Sequence, residues 1–351
     1  MIKNLVVGSG FSAAITKIFL GKNSKVIGFK KKNPSKNQNF FRRKSLDINK
    51  FFSKKTTSYG SLKFKLNKGK LHDRLISGGN STIWGGHVNL RKLTKQIIIL
   101  FEKKTKFIKL DYDKTGTITN DENIHQLQTY SGNILNSNNI LKKIEDAYVL
   151  SFFVKKKKIY IKLINQKNNK IKQIQVNKLF LCVGSIQFLD LLYRSNILKN
   201  GDLIEHSEYY HKYKISNIYS KLPKGNVTVI RYKFSRAIGH YLGIQSFSRF
   251  LKLLNFIPLC IDQCFYKKKL NYKLLLKNGE LIEQDYLRTS DNFGQSIHYC
   301  NLRINKIPIN KIMKKTHSDI YGIGMSFIDQ DIPGPISNDI ILDSYKKTIN
   351  I

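Results

Sequence analysis

The beginning of the chain reads as a strand, a glycine turn, a helix and a second strand, and this order constrains the fold more than any other feature. The apolar run Ile2–Val7 predicts a buried parallel strand. Gly8–Ala13 follows, and apolar residues then recur at helical spacing until the helix stop at Gly21. A second apolar run, Lys25–Phe29, completes a βαβ unit of the type that binds dinucleotides.

The glycine turn has the residues that a bound pyrophosphate needs. Gly8 permits the tight turn, Gly10 lets the backbone approach the pyrophosphate, and Ala13 lets the helix pack closely on the strand. The simpler alternative is a glycine turn without a ligand. The acidic residue that binds ribose hydroxyls about 20 residues further on is missing, because Phe29 and Lys30 stand there. The lysines at 30–32 either favour a phosphate at this place or form a solvated basic run.

A second glycine cluster contains the single tryptophan of the chain. It reads Ser77-Gly78-Gly79-Asn80-Ser81-Thr82-Ile83-Trp84-Gly85-Gly86-His87. Two Gly-Gly pairs around polar and aromatic residues indicate a backbone packed against a flat group such as a flavin ring. A plain glycine loop over a core tryptophan is the alternative interpretation.

A third glycine turn ends a late strand. Tyr148–Phe153 and Ile159–Leu163 predict an antiparallel meander with a turn at 165–170. Leu179–Val183 then predicts a buried strand that ends at Gly184-Ser185, and apolar residues at helical spacing follow it. A strand that returns to the first sheet and ends in a glycine turn would lie at the carboxyl edge, where cofactors bind.

Charge and composition exclude several classes of protein. The 351 residues carry a formal net charge of +39, but 52 of the 62 basic residues are Lys, scattered along the chain, whereas specific nucleic-acid readers rely on Arg. We therefore expect no specific nucleic-acid partner, only weak attraction to anionic surfaces. Four cysteines form no disulfide framework, and Cys260 and Cys264 have the spacing of one helix face. With no predicted signal peptide or membrane span, we expect a cytoplasmic protein.

Together, the three glycine-bearing segments resemble the glucose–methanol–choline (GMC) family of FAD-dependent oxidoreductases. In that family a turn like Gly8–Ala13 holds the FAD pyrophosphate. A Gly-Gly-x-Ser segment like Gly78–Ser81 lies along the flavin, and a strand end like Cys182–Ser185 closes the site. A later segment, Asp329–Leu342, is similar to the family's acidic Pro-x-Pro segment in the substrate half.

The resemblance implies an α/β fold with two domains. A Rossmann-type FAD-binding domain would cover residues 1–200, with an irregular excursion at 30–71 that includes a short helix at 46–52. A second, mostly antiparallel-sheet substrate domain would cover 201–351 and be incomplete at the C-terminus. The residues expected to contact FAD are Gly8, Gly10, Phe11, Ser12, Ala13, Gly78, Gly79, Asn80, Ser81, Trp84, Gly85, Val149, Cys182, Val183 and Gly184.

The implied reaction is hydride transfer to the flavin from the CH–OH group of a small-molecule alcohol or sugar. The alternative is a truncated or non-catalytic relative that binds FAD without turnover. Two further readings stay open: a nicotinamide enzyme in which Lys30 favours a 2′-phosphate, and a peripheral membrane protein that uses residues 247–265. For that segment a buried helix is the simpler interpretation.

The catalytic histidine is the weakest part of the match. The family's catalytic pair lies beyond the Pro-x-Pro segment, followed by a last stretch that returns to FAD, yet this chain ends at Ile351. We therefore expect a truncated domain or a second chain that completes the site. His298 and His317 are the histidines considered as proton acceptors, against the simpler view of each as structural. No metal site is expected.

Overall fold

The structure, a computed structural model, describes residues 2–30, 62–65, 78–79, 87–109, 118–119, 122–127, 144–205, 208–215, 229–232, 259–266, 272–286, 299–304, 307–328, 337–349 and 351. Its helices are α1 (Phe11–Leu20), α2 (Lys95–Glu102), α3 (Ser185–Arg194), α4 (Ile309–Thr316) and α5 (Ser337–Thr348). Its strands are β1 (Ile2–Val7), β2 (Ser24–Gly28), β3 (Lys63–Lys65), β4 (His87–Asn89), β5 (Phe107–Lys109), β6 (Ile118–Thr119), β7 (Ile124–Leu127), β8 (Glu145–Lys155), β9 (Lys158–Asn165), β10 (Ile171–Leu181), β11 (Asn200–Glu205), β12 (Glu208–Ile215), β13 (Val229–Tyr232), β14 (Leu259–Tyr266), β15 (Tyr272–Lys277), β16 (Glu280–Tyr286), β17 (Tyr299–Ile304), β18 (Ile307–Pro308) and β19 (Ile320–Gly322).

The first sheet contains the predicted βαβ unit. Five of its strands run parallel in the order β19–β10–β1–β2–β8. The apolar runs that form β1 and the end of β10 are buried on both faces, as expected for parallel strands between two layers. The predicted strand–turn–helix–strand order at the N-terminus is confirmed.

The meander closes this sheet on itself. β8, β9 and β10 pair antiparallel, and β10 then continues into the parallel pairing with β1, so five strands form a ring. One apolar core includes Leu5, Val7, Ile161 and Leu181 of these strands together with apolar side chains of α3 and α4. The meander, the turn before β10 and the return of the end of β10 to the first sheet were predicted, but the closed ring of strands was not.

A second core lies on the opposite face of β1 and β10. It joins Val6 and Phe180 to the apolar sides of α1, α2 and α5. In α1, Ala13 and Ala14 are fully buried, so the helix packs closely on the sheet. These two layers bring the N-terminal ends of α1 and α3 to the carboxyl edge of the sheet, because each helix begins just after a strand.

Three further sheets are mostly antiparallel. Their strand orders are β18–β17–β11–β15–β16–β3, β12–β14–β13–β6 and β4–β7–β5. Only the β16–β3 pairing is parallel among those described. The antiparallel sheets expected beside the parallel one are confirmed, although β3 to β7 come from residues 63–127, within the range expected for the FAD-binding domain, and β3 lies in the excursion that we expected to be irregular.

One expectation about the later part of the chain is wrong, because Cys260 and Cys264 lie on β14, a strand, and not on a helix. Ile320–Gly322 pairs with β10 and Ser337–Thr348 packs on α1, so these two segments join the first sheet and its helix layer. The division of the chain into two domains at residue 200 stays a prediction. The predicted helix at 46–52 lies outside the described residues.

Glu145 joins three strands of the first sheet. Its carboxylate accepts hydrogen bonds from Lys25 on β2, at 2.6 Å, and from Lys172 on β10. Burial alone would raise the pKa of the Glu145 carboxyl, but the two lysine hydrogen bonds outweigh it and hold the pKa below its usual range. The pair with Lys25 fastens the beginning of β8 to β2.

We expect Glu145→Gln to lower stability at neutral pH by about 1 kcal/mol. A pKa lowered by folding stabilises the protein above the unfolded-state pKa, and this contribution is lost as the pH falls through the folded-state pKa. The difference from the unsubstituted protein should therefore shrink as the pH falls below about 4.3, the ordinary pKa of a glutamate. Urea unfolding at several pH values measures it. Glu122→Gln, at an exposed glutamate, is the control, and an equal pH dependence in both variants would contradict the assignment.

Candidate functional site

The carboxyl ends of the parallel strands meet at one edge of the first sheet, and the glycine-bearing loops converge there. The turn after β1 and the turn after β10 leave adjacent strands at this edge. Gly78, from the second cluster, lies against the first turn, with its N–H donating to the Ser9 carbonyl at 2.7 Å. Such an edge is where open α/β sheets bind ligands.

Gly8 is the point of closest packing. Its φ of +135° suits glycine, and its N–H donates to the Ile27 carbonyl at 2.8 Å. A Cβ atom here would collide with the Cys182 carbonyl oxygen and lie 2.8 Å from its carbonyl carbon. The backbones of the first and third turns are therefore in direct contact at Gly8, and no side chain fits between them.

Gly10 has a different role, since the described residues leave space around it. Among them, a Cβ atom at Gly10 would meet only the Gly78 carbonyl oxygen, at 3.6 Å, which is an ordinary contact. Gly10 is the N-cap of α1, where no side chain accepts from the backbone, and the first turn of the helix has no acidic residue. The helix dipole and first-turn N–H groups therefore leave a positive potential beside this glycine.

A fourth loop reaches the same edge from the end of the chain. It follows β19 and runs from Gly322 to the 3-10 turn Met325–Phe327. The Ile323 N–H donates to the Leu181 carbonyl at 2.9 Å. Gly324 has a φ of +127°, and a Cβ atom there would lie 2.9 Å from Ser12 Oγ at the start of α1.

Sequence reasoning missed this loop, although a signal was present. Ile320-Tyr321-Gly322-Ile323-Gly324 is another short apolar strand that runs into glycines, like those before Gly8 and Gly184. The segment is short, and we had assigned the following residues, Asp329–Leu342, to the substrate half. The Ser337–Leu342 part of that segment instead begins α5, which packs on α1.

Buried polar side chains hold α1, β10 and α5 together behind the loops. Thr16 Oγ1 lies 3.4 Å from Cys182 Sγ and 3.1 Å from Ser344 Oγ. Burial raises the pKa of the Cys182 thiol to about 12, although the contact with Thr16 opposes the rise. Cys182 is therefore a neutral packing residue of the site, not a nucleophile.

Lys347 of α5 holds the fourth loop in place. Its ammonium donates to the Gly322 carbonyl at 2.6 Å and to Asp343 Oδ2 at 2.8 Å, and it lies 5.7 Å from the centre of the Phe327 ring. Burial lowers the pKa of Lys347 and raises the pKa of Asp343, while their mutual attraction opposes both shifts. The loop conformation thus depends on one turn of α5, and Lys347 lies 25 residues beyond Gly322 in the sequence.

The beginning of α5 is tied to β4, which directly follows the second glycine cluster. Asn338, buried in the interior, accepts a hydrogen bond from the Asn89 N–H at 2.9 Å and donates to the Asn89 carbonyl at 2.8 Å. An asparagine that pairs twice with one backbone residue acts like a short piece of strand. α5 therefore positions both the fourth loop and the exit of the second cluster.

The structure places most of the predicted site residues at this edge. The first-loop residues, Gly78, Gly79 and the third-loop residues are brought together, while Val149 is buried in β8, where its carbonyl accepts from Arg194 at 3.0 Å. β8 begins beside the end of β2 and runs on past it, so Val149 lies beyond that strand end. Asn80, Ser81, Trp84, Gly85 and His298 lie outside the described residues.

His317 is not placed to act at these loops, contrary to its selection as a candidate proton acceptor. It follows α4 at the amino end of β19, whereas the loops lie at the carboxyl end of that strand. Both ring nitrogens have backbone partners: Nδ1 accepts from the Asp319 N–H at 3.1 Å, and Nε2 lies 3.3 Å from the Lys157 carbonyl. His317 has a structural role.

The described residues contain neither a metal-binding cluster nor a membrane-spanning helix. They contain no group of three or more His, Cys, Asp or Glu side chains arranged to hold a metal ion. None of the helices within them is both long and apolar enough to pass through a lipid bilayer. The cytoplasmic location stays a prediction.

We expect Gly8→Ala to destabilise the protein by more than about 2 kcal/mol, because the added methyl group meets the Cys182 carbonyl in a backbone conformation that alanine avoids. Gly10→Ala is the matched control, two residues away. It should cost about 1 kcal/mol or less, the usual penalty for alanine at an N-cap. Urea unfolding compares the two, and equal losses would show that the close packing at Gly8 is misplaced.

Comparisons with known proteins identify the fold. No family model and no curated protein sequence matches the chain. Among solved structures, it is similar to pyridoxine 4-oxidase from Mesorbium loti, with a TM-score of 0.58 and 9% identity over 100% of this chain and 99% of that one. It is also similar to a fungal aryl-alcohol oxidase, with a TM-score of 0.52 and 9% identity over 99% and 98% of the two chains. The chain therefore has the α/β fold of GMC-type enzymes, as the sequence motifs predicted.

Proposed function

We propose that this chain is an FAD-dependent oxidoreductase that oxidises the CH–OH group of a small-molecule alcohol or sugar. The observation that carries the proposal is the convergence of the glycine-bearing loops at the carboxyl edge of the first sheet. A fold of this type is shared by many activities, so the function must be argued from the site itself.

The residues at this edge fit the cofactor. The N-terminus of α1, where Gly10 supplies no side-chain cap and the first turn has no acidic residue, suits a pyrophosphate, which is a dianion, and the described residues leave space at Gly10. Gly78 and its neighbours would lie along the flavin, as the GMC resemblance implies, and the Cys182–Gly184 turn and the Gly324 loop would border it. The Ser326 hydroxyl of that loop is buried and has no partner among the described residues. It is a candidate donor to the cofactor.

When bound, the flavin would accept the hydride from the substrate carbon, and the protein must accept the hydroxyl proton. We propose His298 for this role. It lies outside the described residues, but the next residue, Tyr299, begins β17, which packs against the 3-10 turn Met325–Phe327 of the fourth loop.

The order of segments differs from the family's in one respect. The GMC resemblance places the catalytic histidine beyond the Pro-x-Pro segment and before a last stretch that returns to FAD. Ile320–Thr348 returns to the first sheet and its helix layer, and His298 precedes both this stretch and Asp329–Leu342. A truncated domain and a second chain that completes the site therefore stay the alternatives to His298.

The names of the two similar structures suggest which substrates to test. One is a pyridoxine oxidase and the other an aryl-alcohol oxidase. Benzyl alcohol, pyridoxine and glucose sample the aromatic alcohols and the sugars. A protein that binds FAD and is reduced by none of a wider panel would favour the alternative, a flavoprotein without turnover.

Purified protein should carry FAD, visible as flavin absorbance and released on denaturation. Gly10→Glu should abolish this absorbance while the protein remains folded, because a carboxylate would fill the pyrophosphate space with the wrong charge. Asn23→Glu adds the same charge at an exposed position beyond the other end of α1 and should retain FAD. Full flavin retention by Gly10→Glu would contradict the placement of the first loop.

His298→Ala should bind FAD normally but slow anaerobic flavin reduction by the active alcohol about 100- to 10,000-fold, the usual contribution of a general base. His317→Ala is the matched control and should leave the rate unchanged, because its ring lies at the other end of β19. Stopped-flow absorbance measures both rates. A full rate for His298→Ala would remove this histidine from the mechanism without affecting the FAD assignment.

A further inference from the structure

We propose that the carboxylate of Asp146 takes the place of the missing acidic residue after β2 and accepts a hydrogen bond from the adenosine ribose of the cofactor. This inference rests on the proposed function, because it concerns the adenosine half of FAD. It assigns to the start of β8 a role that dinucleotide-binding sites usually give to the end of β2.

The register of the first sheet places Asp146 at the required edge. Asp146 stands directly opposite Gly28, the last residue of β2, in the parallel pairing of β2 with β8. Gly28 in turn packs on the first loop, since a Cβ atom there would lie 2.8 Å from the Gly8 carbonyl oxygen and 3.0 Å from Ser9 Cβ. Asp146 is therefore one strand away from the loop proposed to hold the pyrophosphate.

The Asp146 side chain is held in position by the backbone of Lys30, the residue that stands where an acidic residue is usually found. The Lys30 N–H donates to Asp146 Oδ1 at 3.0 Å, so the carboxylate lies against the residues just after β2. Its second oxygen has no hydrogen-bond partner among the described residues, and the side chain is only partly buried. The neighbouring Glu145 ion pair with Lys25 fixes the start of β8 and limits how far the carboxylate can move.

The chemistry of this position favours a ribose with free hydroxyl groups. A carboxylate accepts hydrogen bonds from hydroxyls and repels a phosphate. The Lys30 ammonium alone would have favoured a 2′-phosphate, but the Asp146 carboxylate, which accepts from the Lys30 backbone N–H, adds a negative charge at the end of β2 that repels a phosphate. The arrangement thus argues against the nicotinamide enzyme with a 2′-phosphate that the lysine run left open.

The test compares two ligands on the flavin-free protein by calorimetric titration. The ligands are FAD and its analogue with 2′-deoxyadenosine in the adenosine half. The unsubstituted protein should bind FAD about 10- to 100-fold more tightly than the analogue, the value of one hydrogen bond to a charged group. In Asp146→Asn this ratio should fall toward one, because the charge is lost while the side-chain volume and the contact with the Lys30 N–H are kept.

Two further variants separate a binding role from a structural one. Asp146→Ala should give the same small ratio, whereas Asp319→Asn, at the amino end of β19, should keep the ratio of the unsubstituted protein. A merely structural role would weaken both ligands equally and leave the ratio unchanged, which would overturn the inference. If the unsubstituted protein fails to bind FAD, the proposed function itself fails. If it binds FAD and every variant keeps the full ratio, only the role of Asp146 is overturned.

Discussion

The site depends on backbone packing directly against backbone where the parallel strands end. At Gly8 and Gly28 no side chain separates neighbouring segments, so the first turn lies against Cys182 on one side and against the end of β2 on the other. Hydrogen bonds from Gly8 to Ile27 and from Cys182 to Val7 then fix the two turns relative to each other. A larger residue at either glycine would push the turns apart and open the edge that the cofactor is proposed to occupy.

The helix at the end of the chain belongs to the scaffold of this edge. α5 contacts α1 through Ser344, the fourth loop through Lys347 and the exit of the second cluster through Asn338. Ser344 and Asn338 are buried and Lys347 is partly buried, and each is paired, so hydrogen bonds offset the cost of removing these polar groups from water. Such contacts also specify one arrangement of the loops, since apolar contacts alone would tolerate small shifts of the helix.

Local patterns predicted the parts of the fold that are close in sequence. The βαβ unit, the meander and the strand before Gly184 each carry their period and their turn residues within a few dozen positions. Ile320–Gly324 carries a short local signal, an apolar strand that runs into glycines, but this signal does not say which sheet the strand joins, because pairing with β10 depends on a partner far away in the chain. The prediction of a helix at Cys260 and Cys264 failed because the local pattern is ambiguous, since a separation of four fits both one face of a helix and one face of a strand.

The same distinction explains which site residues were found from the sequence. Gly8, Gly10 and Gly184 stand in motifs defined by spacing, and the motif survives because the backbone geometry requires small residues at fixed intervals. Asp146 is separated from Lys30 by 116 positions and meets it only through the register of β2 with β8. An interaction that needs only a carboxylate at a strand end can be supplied by either of two adjacent strands. Reasoning limited to the usual position after β2 therefore finds no acidic residue, although Asp146 stands beside that position on the adjacent strand.

With 9% identity to the two similar structures, backbone shape is retained here far better than residue identity. When the backbone shape is kept, a contact at the periphery of a ligand can be supplied by a residue on a different strand from one protein to another.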